Sequence, residues 1–162
     1  MCLCIDEKQT KKVVDNLSKK GYIIGWKVIK IEIEYELYES DGSRIIAGYK
    51  MRTPYMCSII EITKDGAFVS DRKQAKLFKY ETEKNTVDKG IHIFLRKSNA
   101  AKIRGSYEYL VPVICKKEDF VAAGKFCGMD SAVFTKIFID DKDIKKAVSL
   151  AKRKARREFN ER

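Results

Sequence analysis

The residues with the most chemistry per unit length run Gly90-Ile91-His92-Ile93-Phe94-Leu95-Arg96-Lys97-Ser98-Asn99-Ala100-Ala101-Lys102-Ile103. The only histidine, His92, lies in an apolar stretch that reads as a short buried strand. Arg96 and Lys97 stand just before a helix that the pattern opens at Ser98. The first N–H groups of a helix have no partner within it and attract anions, so two cations at that point suit a phosphate. Arg52, just ahead of Pro54 and Tyr55, adds a guanidinium beside an aromatic ring. A guanidinium pairs with phosphate through two bonds, and a ring face stacks on a base. Tyr55 and Phe94 are therefore the expected walls of a ligand pocket, with Phe78 and Tyr80 as further faces. His92 is the expected partner of one ligand hydrogen bond.

Other chemistries are excluded or carry little. One histidine rules out mechanisms that need two. There is no Gly-x-x-x-x-Gly-Lys-Ser/Thr phosphate loop and no Gly-x-Ser-x-Gly elbow. Cysteines 2, 4, 57, 115 and 127 are odd in number and do not have the spacings of a disulfide framework. They are expected to be reduced and mostly buried, with no metal site and no cofactor implied. A pairing of one cysteine with His92 stays open, because sequence alone does not say which cysteine is near.

The charge supports an anionic partner. The formal net charge is +11, which points to nucleic acid, a nucleotide or an acidic protein. Residues 141–162 contribute nine Lys or Arg against four Asp or Glu. Their densest run, Lys152-Arg153-Lys154-Ala155-Arg156-Arg157, has no interleaved aromatics and reads first as the solvated face of a terminal helix. No apolar run is long enough to cross a membrane, and the start lacks a signal-peptide pattern, so a cytoplasmic protein with no membrane partner is expected.

The elements that must position these residues follow from periodicity. A helix is expected over residues 8–20, stopped by Gly21. From Trp26 the chain alternates: Ile29, Ile31, Ile33, Tyr35 and Leu37 share one side and Lys30, Glu32, Glu34 and Glu36 the other. A turn at residues 40–43 returns Arg44–Tyr49 as a hairpin partner, and the glutamates form its wet face. Strands are expected at Cys57–Ile62, Tyr107–Ile114 and Ser131–Phe138. Pro112 limits pairing of its strand to one side. Residues 71–89 read as a loop with a short helix near 73–78, and Phe120–Gly124 with Gly128 as a turn. A last helix opens at Asp140 or Asp141 and runs through about residue 162. The whole, residues 1–162, is expected to be one α+β domain with a mostly antiparallel sheet and N-terminal, central and C-terminal helices. The long hairpin is an edge that suits a homodimer.

Several of these pieces resemble a group of small phage and mobile-element proteins. The matching residues are Met1-Cys2-Leu3, Trp26-Lys27, Thr53-Pro54-Tyr55, Gly90-Ile91-His92-Ile93-Phe94, Ala100-Ala101, and Val111-Pro112-Val113 through Gly124. More distantly, the layout is similar to ADP-ribosyltransferase-like domains, in which an early Arg or His and a serine motif hold an NAD-type dinucleotide and a late glutamate does the chemistry. Lys27 stands where the Arg or His is expected, and no Glu lies between Phe126 and Asp140. The resemblance implies an ADP-ribose-shaped pocket, Lys27 included, without transfer activity.

The expected function is a phage-encoded, non-enzymatic protein that sequesters a small phosphorylated signal nucleotide of host defence. That signal would be an ADP-ribose type, as in Thoeris systems, or a cyclic nucleotide. Its ligand-binding set is Lys27, Arg52, Tyr55, His92, Phe94, Arg96, Lys97 and Ser98. Two alternatives compete with it. One is nucleic-acid or host-protein binding through the C-terminal helix. The other is a divergent ADP-ribosyltransferase or signal-cleaving enzyme, with Glu108, Glu118, Asp119 or Asp130 as the acid.

Overall fold

Alternation over a long stretch commits the chain to one central strand, and the rest of the fold is built on it. The structure, a computed structural model, describes residues 3–37, 44–52, 61–62, 67–69, 77–79, 85–87 and 90–160. Strand β2 (Tyr22–Leu37) pairs along one edge with β9 (Glu108–Lys116), from Tyr22 opposite Lys116 to Lys30 opposite Glu108. Its other edge is shared. β8 (Ile91–Phe94) meets it at Trp26 opposite Phe94, and β3 (Arg44–Arg52) takes it from Lys30 onward. The hairpin's outward face carries ion pairs Lys50–Glu34 at 2.5 Å and Arg52–Glu32 at 3.1 Å, so the glutamates are its wet face as expected.

The sheet extends from this centre. On the far side of β9 lie β12 (Lys136–Phe138), β5 (Ala67–Val69) and β4 (Glu61–Ile62). Beyond β8 lie β11 (Met129–Phe134), β10 (Phe120–Phe126), β1 (Leu3–Ile5), β7 (Asn85–Val87) and β6 (Leu77–Lys79). All pairings among the described strands are antiparallel. With its helices this is the expected α+β architecture.

Helix α1 (Glu7–Lys20) starts where the Asp6 carboxylate accepts from the Gln9 N–H at 2.8 Å. It ends at Gly21, whose φ of 75° lets its N–H reach the Leu17 carbonyl at 2.7 Å. Thr10 ties the helix to β10 by donating to the Ala123 carbonyl at 2.8 Å. Helix α3 (Asp141–Asn160) opens on Asp140, whose carboxylate accepts from the Lys142 N–H at 3.0 Å. α1 and α3 pack on one face, where Val13, Leu17, Ile144, Ala147, Val148 and Ala151 meet Ile29, Ile31, Ile91, Ile93, Val113 and Phe134. The short α2 (Lys97–Lys102) covers the other face through Ala100, against Val28, Phe94, Phe126 and Val133.

Three sequence expectations change. Phe120–Gly124 is strand β10, and the turn comes later at Cys127 (φ 50°) and Gly128 (φ 76°), the left-handed pair of a tight hairpin. Gly124 serves close approach instead: a Cβ there would sit 2.0 Å from the Cys4 carbonyl oxygen. The strand expected over Ser131–Phe138 breaks at Thr135, whose N–H turns to the Asp119 carbonyl at 2.8 Å. Of the short helix expected near 73–78, residues 77–78 belong to β6 and residues 73–76 lie outside the described residues. Of the three described cysteines, Cys115 is buried, whereas Cys4 and Cys127 are exposed; Cys2 and Cys57 lie outside the described residues. Pro112 sits opposite Trp26, with β12 meeting β9 at Ile114, so one-sided pairing at the proline holds among the described residues. The turn at residues 40–43, and all of the Cys57–Ile62 strand except Glu61–Ile62, also lie outside them.

Candidate functional site

The start of β2 leaves a gap in the sheet. Before Trp26 its second edge has no strand partner among the described residues, because β8 ends at Phe94 and the chain turns into α2. Gly25 lets the two segments converge there: a Cβ on it would lie 2.3 Å from the Ile93 side chain. Helix α1 roofs the gap. Gln9, Lys12, Val13, Asn16 and Lys20 recur at three- and four-residue spacing, so they form one side of the helix. With Tyr22, Ile23, Ile24, Leu95, Arg96 and Asp130 they line an open recess of about 410 Å³.

Three cations, Lys12, Lys20 and Arg96, and one acid, Asp130, border this recess. The Leu95 N–H donates to the Asp130 carbonyl at 3.1 Å, which fixes the acid beside Arg96. Asp130 accepts a hydrogen bond from Lys125, and Arg96 approaches it less closely, at 3.8 Å. The Lys125 hydrogen bond, then the charges of Lys125, Arg96 and Lys12, hold the Asp130 carboxyl below its ordinary range. Arg96 is not consumed by this pair, since 68% of its side chain stays exposed. Val13, Ile23 and Leu95 give the recess an apolar wall. An anion with a small organic body fits such a lining.

Of the described residues in the expected ligand-binding set, only Arg96 lines this recess. Its neighbour Lys97 turns away and lies 5.0 Å from the centre of the Trp26 ring. Ser98 is exposed on α2, which begins one residue earlier than expected, with Arg96 as its cap and no side-chain cap bond. Phe94 is buried in the core, edge-on to Phe126 at 6.0 Å, and so is not a pocket wall. Arg52 faces Lys30, four residues or about 13 Å along β2 from Trp26, where it pairs with Glu32. Tyr55 lies outside the described residues, as does Tyr80.

His92 and Lys27 form a structural pair. Lys27 is buried, and its Nζ donates to the His92 carbonyl at 2.7 Å. The His92 ring packs on Phe126 at 5.3 Å, and its Nε2 is sealed from solvent with no hydrogen-bond partner among the described residues. Burial, and then the Lys27 charge, push the His92 pKa from 6.5 down to about 4, so the ring is neutral at neutral pH. Burial likewise raises the Cys115 thiol, which stays protonated.

Sequence reasoning missed Lys12, Lys20, Gln9, Asn16 and Tyr22. Their only signal was a polar side of the first helix at regular spacing, the pattern of any solvated helix face. Among the described residues no group of His, Cys, Asp and Glu is placed to hold a metal ion, and no helix is long and apolar enough to cross a membrane. Comparison with protein-family models, curated proteins and solved structures finds no match to this chain.

Proposed function

We propose that the protein binds a small phosphorylated ligand of the nucleotide class in the recess between α1 and the start of β2. It holds that ligand without turning it over, as a phage-encoded protein would sequester an ADP-ribose-type or cyclic-nucleotide defence signal. The supporting observation is the encirclement of one recess by Lys12, Lys20 and Arg96. Its volume, about 410 Å³, is within the range of small-molecule sites. Arg96 supplies the planar donor set that matches a phosphate, and the two lysines add point charges. Gln9 and Asn16 offer amides to a ribose or base. The exposed Tyr22 ring takes the stacking role expected of Phe94 and Tyr55. Backbone groups on the β2 edge before Trp26, which meets no strand there among the described residues, add donors and acceptors of fixed direction.

The test is calorimetric titration with ADP-ribose and with a cyclic dinucleotide, followed by heat denaturation and chromatography of the released ligand. Saturable heat with intact ligand is expected. No heat at micromolar protein ends the proposal. A cleaved product transfers the protein to the enzyme class.

A further inference from the structure

A second basic groove lies on the same face of the sheet, between α3 and β3. It is lined by Tyr49, Lys145, Val148, Ser149, Lys152, Arg153 and Arg156 and encloses about 380 Å³. Residues 145, 149, 152, 153 and 156 recur at helical spacing, so the cations form one stripe along about 16 Å of helix. Lys154, in the same run, is used elsewhere. Lys154 donates to the Ser106 carbonyl at 2.7 Å and lies over the Tyr107 ring at 3.9 Å. Tyr107 in turn donates to Glu158 at 2.8 Å, which clamps the end of the helix. Lys145 pairs with Asp141 at 2.5 Å. No carboxylate among the described residues pairs with Lys152, Arg153 or Arg156. Opposite them, Tyr49 is 42% exposed.

We infer that this groove binds single-stranded nucleic acid, with Lys152, Arg153 and Arg156 on the phosphates and the Tyr49 ring as a platform for one base. One observation favours a single strand over a duplex: the exposed Tyr49 ring borders the cation stripe, and a paired base has no open face to meet it. The inference is independent of the α1 recess, which shares no residue with this groove.

Fluorescence anisotropy of the full chain with a labelled mixed-sequence DNA strand of about 12 nucleotides tests it, beside a duplex of the same sequence, across a salt series. Saturable binding that prefers the single strand is expected. The double variant Arg153→Gln/Arg156→Gln should bind at least about tenfold more weakly and lower the salt slope by about 1.4, or about 0.7 per phosphate contact. Tyr49→Leu should weaken binding by about 5- to 100-fold with the slope unchanged. Arg96→Gln should bind like the parent. The two arginines are exposed, so melting curves should show the double variant folded. Absence of saturable binding, equal or tighter binding of the duplex, or a double variant with unchanged affinity and slope would overturn the inference.

Discussion

The ammonium of Lys27 on β2 donates to the backbone carbonyl of His92 on β8 at 2.7 Å, across 65 residues of chain. It does so where β2 has no strand partner on that edge among the described residues, after β8 has met it at Trp26 and before β3 joins at Lys30. A side chain therefore supplies the bond that a ladder would otherwise make. Lys27→Met leaves that carbonyl without its donor and should cost about 1–3 kcal/mol in urea unfolding. It also removes the positive charge that acts most strongly on the ring, so the His92 pKa should rise from about 4 while staying below 6.5, because burial remains. His92 is the only histidine, so its ring proton resonances report this without assignment.

His92 should make stability fall in acid. The unfolded chain binds a proton on this ring below pH 6.5, and the folded chain does so only near pH 4. Stability from this group is therefore fully present above pH 6.5 and is lost as pH falls from there to about 4, by about 3 kcal/mol. His92→Leu should flatten that part of the profile. Urea midpoints at pH 7, 5.5 and 4, about the two ends and the middle of the window, compare the two chains.

Gly124→Ala should be among the most damaging small substitutions. The new Cβ would meet the Cys4 carbonyl oxygen at 2.0 Å and the Asp6 nitrogen at 2.8 Å, both backbone atoms with little freedom to retreat. Separating β1 from β10 in this way should cost about 3 kcal/mol or more, read as a lower melting temperature.

In the recess, Arg96→Gln should weaken ADP-ribose binding by about 10- to 100-fold, the usual weight of a hydrogen bond to a charged group. Lys12→Gln and Lys20→Gln should have smaller effects in the same direction, and Arg52→Gln should have almost none. Calorimetry on the four variants gives the order. A loss on Arg52→Gln equal to that on Arg96→Gln would move the site to the hairpin.

The frame was legible in the sequence wherever one physical cause acted alone. Gly21 stops α1 because only the left-handed conformation closes its last bond, and the alternation from Ile29 to Ile33 sets the hairpin's core and wet faces. Asp140 announces α3 by its carboxylate. Where two causes compete, the sequence is ambiguous. Gly124 reads as a turn residue, yet it is required by the approach of β1, which lies more than a hundred residues away in the chain. Arg96 and Lys97 are neighbours in sequence, but the entry into α2 sends one to the recess and the other over Trp26. The site was only partly legible for the same reason. Arg96 was expected, whereas Lys12 and Lys20 meet it only once α1 is docked on the sheet.

The most direct test is amide chemical-shift mapping of the isotopically labelled chain during titration with ADP-ribose. Saturable shifts clustered on Gln9–Lys20, Tyr22–Ile24 and Leu95–Arg96 are predicted. Shifts centred on Arg52 and the β2–β3 hairpin, or none at saturating ligand, would contradict a phosphate site between α1 and the open edge of β2.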